Sequence, residues 1–166
     1  MRDWHSASLP AEVVSNLPAI VAGVLTEKVT TALPAAWHGE FTSERAAEWI
    51  DERDLEGLTL LVLEKSTRVP VGLIILFETS FDDGPEVRLG YLLAESSWGK
   101  GFATELVDGL VRWSHGQSGI SSLAGGVARD NPASRRVLEK NGFTPSGRVG
   151  ESGESEEILR LVLRRG

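Results

Sequence analysis

Apolar residues recur at Phe102/Ala103, Leu106/Val107, Leu110/Val111 and Trp113. That spacing predicts an amphipathic helix over 102–115, with Asp108 and Arg112 paired one turn apart on its outer side. Two nearly continuous apolar runs, Leu58–Leu63 and Val69–Phe77, bracket the polar Glu64-Lys65-Ser66-Thr67-Arg68. They predict a hairpin whose strands are covered on both faces. A third strand, Glu86–Ala94, follows the turn signal Asp82-Asp83-Gly84-Pro85.

Local punctuation places the remaining elements. Residues 10–26 read as a helical region that Pro18 breaks or kinks after Leu17. Thr42 or Ser43 caps a helix running to about Arg53, with Glu44 near its positive end, Ala46, Trp49, Ile50 and Arg53 along one side, and Gly57 as its stop. Ser122–Arg129 reads as a strand. Asn131-Pro132 opens a short helix, with Asn as N-cap and Pro at the tolerated first position, and Gly142 closes it. Phe143–Arg148 and Glu157–Arg164 form a last strand pair joined by the acidic, glycine-rich residues 150–156. The organisation is mixed α and β. With no internal repeat or linker, it is expected to be one domain over residues 1–166.

Composition narrows the class. The 166 residues contain no cysteine, which excludes a disulfide scaffold, a thiolate nucleophile and sulfur-ligated zinc. The start, Met1-Arg2-Asp3-Trp4-His5-Ser6, has no apolar run behind it and no stretch has membrane-span length, so a cytoplasmic protein without membrane contact is expected. His5, His38 and His115 are scattered without metal-ligand spacing, and no metal site is expected. The formal charge of −7 argues against binding nucleic acid, which needs a basic face. The charge is uneven: residues 1–60 carry 10 acids and 4 bases, and residues 129–166 carry 6 acids and 8 bases.

The stretch from Gly90 to Thr104, GYLLAESSWGKGFAT, carries the chemistry. A strand enters a loop with glycines at 99 and 101 and passes directly into the helix over 102–115. Glycine lets the backbone curl and a ligand approach, and the unpaired amides of the first helical turn, at the positive end of the dipole, favour an anion such as phosphate. The nucleotide loops do not fit: a Gly-Lys-Ser/Thr ending is missing, as is Gly-x-Gly-x-x-Gly after a first strand.

Trp98-Gly99-Lys100-Gly101-Phe102-Ala103-Thr104-Glu105, then Asn131-Pro132-Ala133-Ser134 beginning 26 residues on, then Glu139-Lys140-Asn141-Gly142-Phe143, resembles the GNAT superfamily of acyl-CoA-dependent N-acetyltransferases, nearest its RimJ/RimL-like branch, over about residues 40–165. The resemblance implies an α+β fold in three layers: a mixed, mostly antiparallel central sheet flanked by helices, with a splayed strand pair holding the cofactor. It implies that Trp98, Gly99, Lys100, Gly101, Phe102, Ala103 and Thr104 bind the pyrophosphate of coenzyme A through backbone amides. Leu92, Leu93 and Ala94 would pair with the pantetheine arm like an added strand. Asn131 would hydrogen-bond that arm, with plain N-capping as its other role, and Lys140 belongs to the basic segment expected to meet the anionic cofactor.

Departures from the family pattern bear on catalysis. Where many relatives carry an acidic tyrosine, this chain has Leu138, so Ser134, one turn earlier on the same helical side, is the candidate acid toward the departing thiolate, directly or through water. Arg88 stands where relatives in the branch often have an acid. Glu78, at the end of the second apolar strand and expected to be partly buried, is then the candidate base, with Asp82, Asp83 and Glu86 as alternatives in the adjacent loop. Trp37 and His38 lie in a loop that in relatives approaches the acceptor pocket; ordinary packing is the other reading of Trp37. The expected activity is acetyl transfer from acetyl-CoA to a primary amine, a protein N-terminus or a small molecule, by direct attack in a ternary complex. The alternative is a non-catalytic acyl-CoA-binding or interaction module. Arg129, Arg135, Arg136 and Lys140 would face the cofactor and the acidic first 60 residues a cationic amine. Exposed strand edges admit a homodimer.

Overall fold

The computed structural model describes residues 1–81, 84–150 and 153–163. Asp82 and Asp83, and the end of the last expected strand at Arg164, lie outside the described residues. Seven strands hydrogen-bond in the order β1-β2-β3-β4-β5-β7-β6, mostly antiparallel, with helices flanking. The chain divides into two compact units, residues 1–75 with 91–100, and residues 76–90 with 101–166; it passes from one to the other within β3, within β4 and between Lys100 and Gly101.

In the first unit, β1 (Arg2–Asp3) pairs antiparallel with β2 (Leu58–Leu63). Residues 10–26 resolve into α1 (Ala11–Ser15) and α2 (Leu17–Val24), followed by α3 (Glu27–Thr30). The break falls at Asn16, one residue earlier than Pro18 suggests. Pro18 lies in the first turn of α2, where its missing N–H costs nothing. Thr42 caps α4 (Ser43–Glu56), its hydroxyl accepting from the Arg45 amide at 3.2 Å. The Glu44 carboxyl in that first turn is held below its usual range, chiefly by a backbone N–H and then by the Thr42 hydroxyl. Val21, Leu25, Ala46, Trp49, Ile50, Leu61 and Leu73 form the buried core of this unit. The tight turn into β3 (Pro70–Phe81) is closed by Glu64 N–H to Val69 O at 2.9 Å.

In the second unit, β4 (Gly84–Leu93) begins, α5 spans Phe102–His115 with its Asp108–Arg112 pair at 2.8 Å, and β5 spans Ser122–Ala128. α6 is Pro132–Lys140, with Asn141 as its C-cap and Gly142 at φ 86° just beyond. β6 (Thr144–Gly150) and β7 (Gly153–Val162) make the closing hairpin, with β7 starting four residues earlier than its apolar run indicates. β4 and β5 run parallel, yet pair only over Glu86–Leu89 with Ser122–Gly125. The ladder stops at Leu89↔Gly125, as expected for a splayed pair, while β5 stays paired with β7 to Ala128. Gly125 lets α6 close onto β5, because a Cβ there would lie 2.9 Å from Leu138 Cδ1.

Candidate active site

The end of β4 in the first unit is shaped by its neighbour strand. Gly72 on β3 lies so close that a Cβ there would stand 2.3 Å from the Leu92 carbonyl oxygen and 2.7 Å from Leu93 Cδ2. The Ala94 amide donates to Val71 O at 2.8 Å, and a 3-10 turn follows at Glu95–Ser97. Leu92, Leu93 and Ser97 are buried. Trp98 is 44% exposed and donates its indole N–H to Leu93 O at 2.9 Å. Because the nearest obstacle to Gly72→Ala is backbone, the change is expected to cost about 1–3 kcal/mol and to displace Leu92–Ala94. Urea unfolding, with amide exchange at residues 92–94, measures both, and a wild-type midpoint would refute the close approach.

Two positive-φ glycines make the loop. Gly99 has φ 72°, ends its curl in open space, and is followed by exposed Lys100. Gly101 has φ 81° and occupies the N-cap of α5 with no side-chain cap. No atom lies within 4 Å of a Cβ built on either residue, so the turn itself, not crowding, requires glycine there. Phe102, Ala103 and Thr104 supply the first-turn amides of α5. Helix α6 is tied to this turn by Asn141 Nδ2 donating to Thr104 O at 3.4 Å.

Asn131 acts as the expected N-cap, its Oδ1 accepting from the Ser134 amide at 3.1 Å, which leaves the amide NH2 as its donor to a ligand. Ser134 is half-buried and already engaged in a polar contact, and Leu138 one turn on is 1% exposed. Lys140 and Arg136 are exposed. Arg135 is turned instead toward Glu157 and toward Glu139 at 2.8 Å; the hydrogen bond to Glu157 and then that to Glu139 raise its pKa. Its guanidinium is thereby shared between two protein carboxylates and is less available than Arg136 or Lys140 to an anion.

Among the carboxylates, burial is the reverse of expectation. Glu78 is exposed, because β3 continues past it to Phe81 and its side chain falls on the open side. Glu86, expected in a solvated turn, is 0% exposed inside β4. Arg148 Nη2 donates to both of its oxygens at 2.8 and 2.9 Å, Arg160 Nε donates at 2.6 Å and Ser122 Oγ at 3.1 Å. A carboxylate so enclosed and bonded serves as a structural anchor.

Trp37 and His38 are held on α4 within the first unit. The Trp37 ring packs edge-on to Trp49 at 5.2 Å and lies under the Arg53 guanidinium at 4.7 Å, so packing is a realised role of this residue. Exposed His38 bonds Leu33 O through Nε2 at 2.8 Å, and Arg45 fixes the same loop by donating to the carbonyls of His38 and Glu40. Lys28 escaped the sequence reading. Its ammonium sits 2.5 Å from Glu95 Oε1 and 5.5 Å from the Trp98 ring centroid. Among the described residues no group of three or more His, Asp or Glu is arranged to hold a metal ion, and no helix is long and apolar enough to cross a membrane.

A seven-stranded, mostly antiparallel sheet with flanking helices makes this a mixed α+β protein. The family model described as an acetyltransferase (GNAT) domain matches residues 14–144, and the chain belongs to the GNAT acetyltransferase family. An uncharacterized N-acetyltransferase of Bacillus subtilis, YoaA, is 36% identical over 60 residues, covering 36% of this chain and 34% of that protein; the match spans about a third of the relative's length. Three solved structures share the fold. The RimL ribosomal L7/L12 alpha-N-protein acetyltransferase in complex with coenzyme A has a TM-score of 0.73 at 17% identity, covering 92% of this chain and 91% of that one. A GNAT-family acetyltransferase from Bacillus anthracis has 0.72 at 17%, with 89% of each chain covered. A spermidine N-acetyltransferase from Vibrio cholerae in complex with CoA and spermine has 0.69 at 18%, covering 91% and 92%.

Proposed function

We propose that the protein is an acetyl-CoA-dependent N-acetyltransferase acting on a primary amine, with residues 1–166 working as one domain. The observation that carries this reading is the pair of positive-φ glycines, Gly99 and Gly101, leading into the uncapped first turn of α5 in a chain of the acetyltransferase family. The neighbours crystallised with coenzyme A support the choice of cosubstrate.

In this reading the amides from Gly99 to Thr104 hold the pyrophosphate, the Trp98 backbone N–H being already spent on Glu95 O at 3.1 Å, and the unpaired edge at Leu92–Ala94 receives the pantetheine, assisted by Asn131, with Lys140 adding positive charge. Acetyl-CoA supplies an activated thioester. A neutral amine nitrogen bonds to its carbonyl carbon, the carbon–sulfur bond breaks, and the thiolate is protonated. Positioning dominates, with a strand amide polarising the carbonyl and no covalent acyl-enzyme. Ser134 is assigned to deliver the proton to sulfur, directly or through water. Glu78, an exposed carboxylate, is assigned to take the ammonium proton through water, and Trp37 and His38 to border the acceptor. A RimJ/RimL-like choice of acceptor, a cytoplasmic location and a homodimer belong to the same reading.

Ser134→Ala is expected to lower kcat by about 10- to 100-fold, at or below the usual range for a positioned acid, with little change in coenzyme A affinity. Steady-state thiol release and calorimetry read the two quantities, and an unchanged kcat would remove Ser134 from the chemistry. The whole reading is tested by an amine library incubated with acetyl-CoA and followed by thiol release and mass spectrometry. Acetylated product from at least one amine class supports it. Coenzyme A binding without turnover would instead favour a non-catalytic acyl-CoA-binding module, a reading that the buried Leu138 keeps open.

A further inference from the structure

Lys28, on α3, brings its ammonium to a place with the chemistry of an organic-cation site. Glu95 Oε1 is 2.5 Å from Nζ, and the Trp98 ring centroid is 5.5 Å away, within the roughly 6 Å over which a ring face attracts a cation. Lys28, Glu95 and Trp98 all belong to the first unit. The indole is pinned by its own N–H bond to Leu93 O, which holds that face in position without any ligand.

Glu95 also borders a shallow, largely open depression with Gly23, Thr26, Ala94 and Ser96, accessible to a small cation from solvent. Gly23 opens directly into it, since a Cβ there would meet nothing within 4 Å. The Lys28–Glu95 pair is a poor structural brace. Its side chains are 65% and 44% exposed, and an ion pair so solvated adds little to stability. An incoming ammonium ion can therefore exchange for Lys28 with little loss.

We propose that Glu95 and the Trp98 face recognise a second, non-reacting ammonium of the acceptor, and that Lys28 is a built-in competitor released when a di- or polycationic amine enters. The idea rests on the acetyltransferase reading for its meaning, since it names the class of acceptor, yet the binding it describes requires no turnover. The ten acids against four bases in the first 60 residues would add a field of the same preference.

The test is calorimetric titration of the full chain with 1,4-diaminobutane at low salt, with 1,4-butanediol as the uncharged control. Lys28→Met is expected to bind the diamine about fivefold tighter than wild type, the scale of one exposed ion pair removed from competition. Lys28→Arg should restore wild-type affinity by returning a cation, and Glu95→Gln should bind at least tenfold more weakly than Lys28→Met. Equal affinity of wild type and Lys28→Met, binding by Glu95→Gln as tight as wild type, comparable binding of the diol, or no diamine binding by Lys28→Met would each overturn the proposal. The expected pattern without any thiol release would leave this subsite standing and refute the acetyltransferase reading instead.

Discussion

Glu86→Ala is expected to remove about 3–5 kcal/mol of unfolding free energy, the usual result of taking one partner from a buried charge cluster. The loss should appear as a fall in Tm of about 10 °C or more for a chain of this size. The carboxylate is 0% exposed and receives three guanidinium N–H bonds and one hydroxyl. Its removal strands Arg148, 30% exposed, and Arg160, 18% exposed, beside one another. Part of that repulsion is relieved by water and by the other contacts these arginines make, which places the expectation toward the lower end. The cluster matters for the site because Glu86 and Ser122 are the first pair of the four-residue β4–β5 ladder, at the end opposite the splay. Urea unfolding checks the magnitude, and a loss under 1 kcal/mol would mean that the cluster is not an anchor.

Glu86 also shows where reading the sequence stops. An acid directly after Asp82-Asp83-Gly84-Pro85 looks locally like turn surface, and its partners lie 36, 62 and 74 residues further along the chain. No local pattern announces such a cluster; only the sheet order β4-β5-β7-β6 assembles it. The same holds for Lys28 and Glu95, 67 residues apart, with Lys28 on a four-residue helix too short to show a period. By contrast, α5 was legible to the residue, because four apolar rungs, a glycine before it and Gly116 after it all agree. β2 was legible for the same reason, a run apolar but for Thr59 between Gly57 and polar residues. Gly72 was visible in principle, since a glycine inside an apolar strand marks a close backbone approach. Glu78 is exposed rather than partly buried because the strand does not end with its apolar run: β3 extends four residues beyond Phe77.

The loop offers the sharper test of function. The double variant Gly99→Ala/Gly101→Ala is expected to lose at least about 100-fold in coenzyme A affinity, equivalent to about 2.7 kcal/mol, while the protein still folds. Both residues sit at positive φ, 72° and 81°, where an L side chain is strained by about 1–3 kcal/mol each. A Cβ at either finds open space, so no clash reaches the core, and the loop can relieve the strain by rotating back to negative φ. On the proposed reading, that rotation re-aims the amides from Gly99 to Thr104 that would hold the pyrophosphate. Lys100→Ala between them should cost less than tenfold, because in the proposed reading backbone groups and the helix terminus, not this exposed ammonium, supply the binding. Calorimetry with coenzyme A on the three proteins measures the contrast. A double variant that binds within threefold of wild type would show that the curl serves only the turn into α5, and the assignment of the anion to this loop would fail with it.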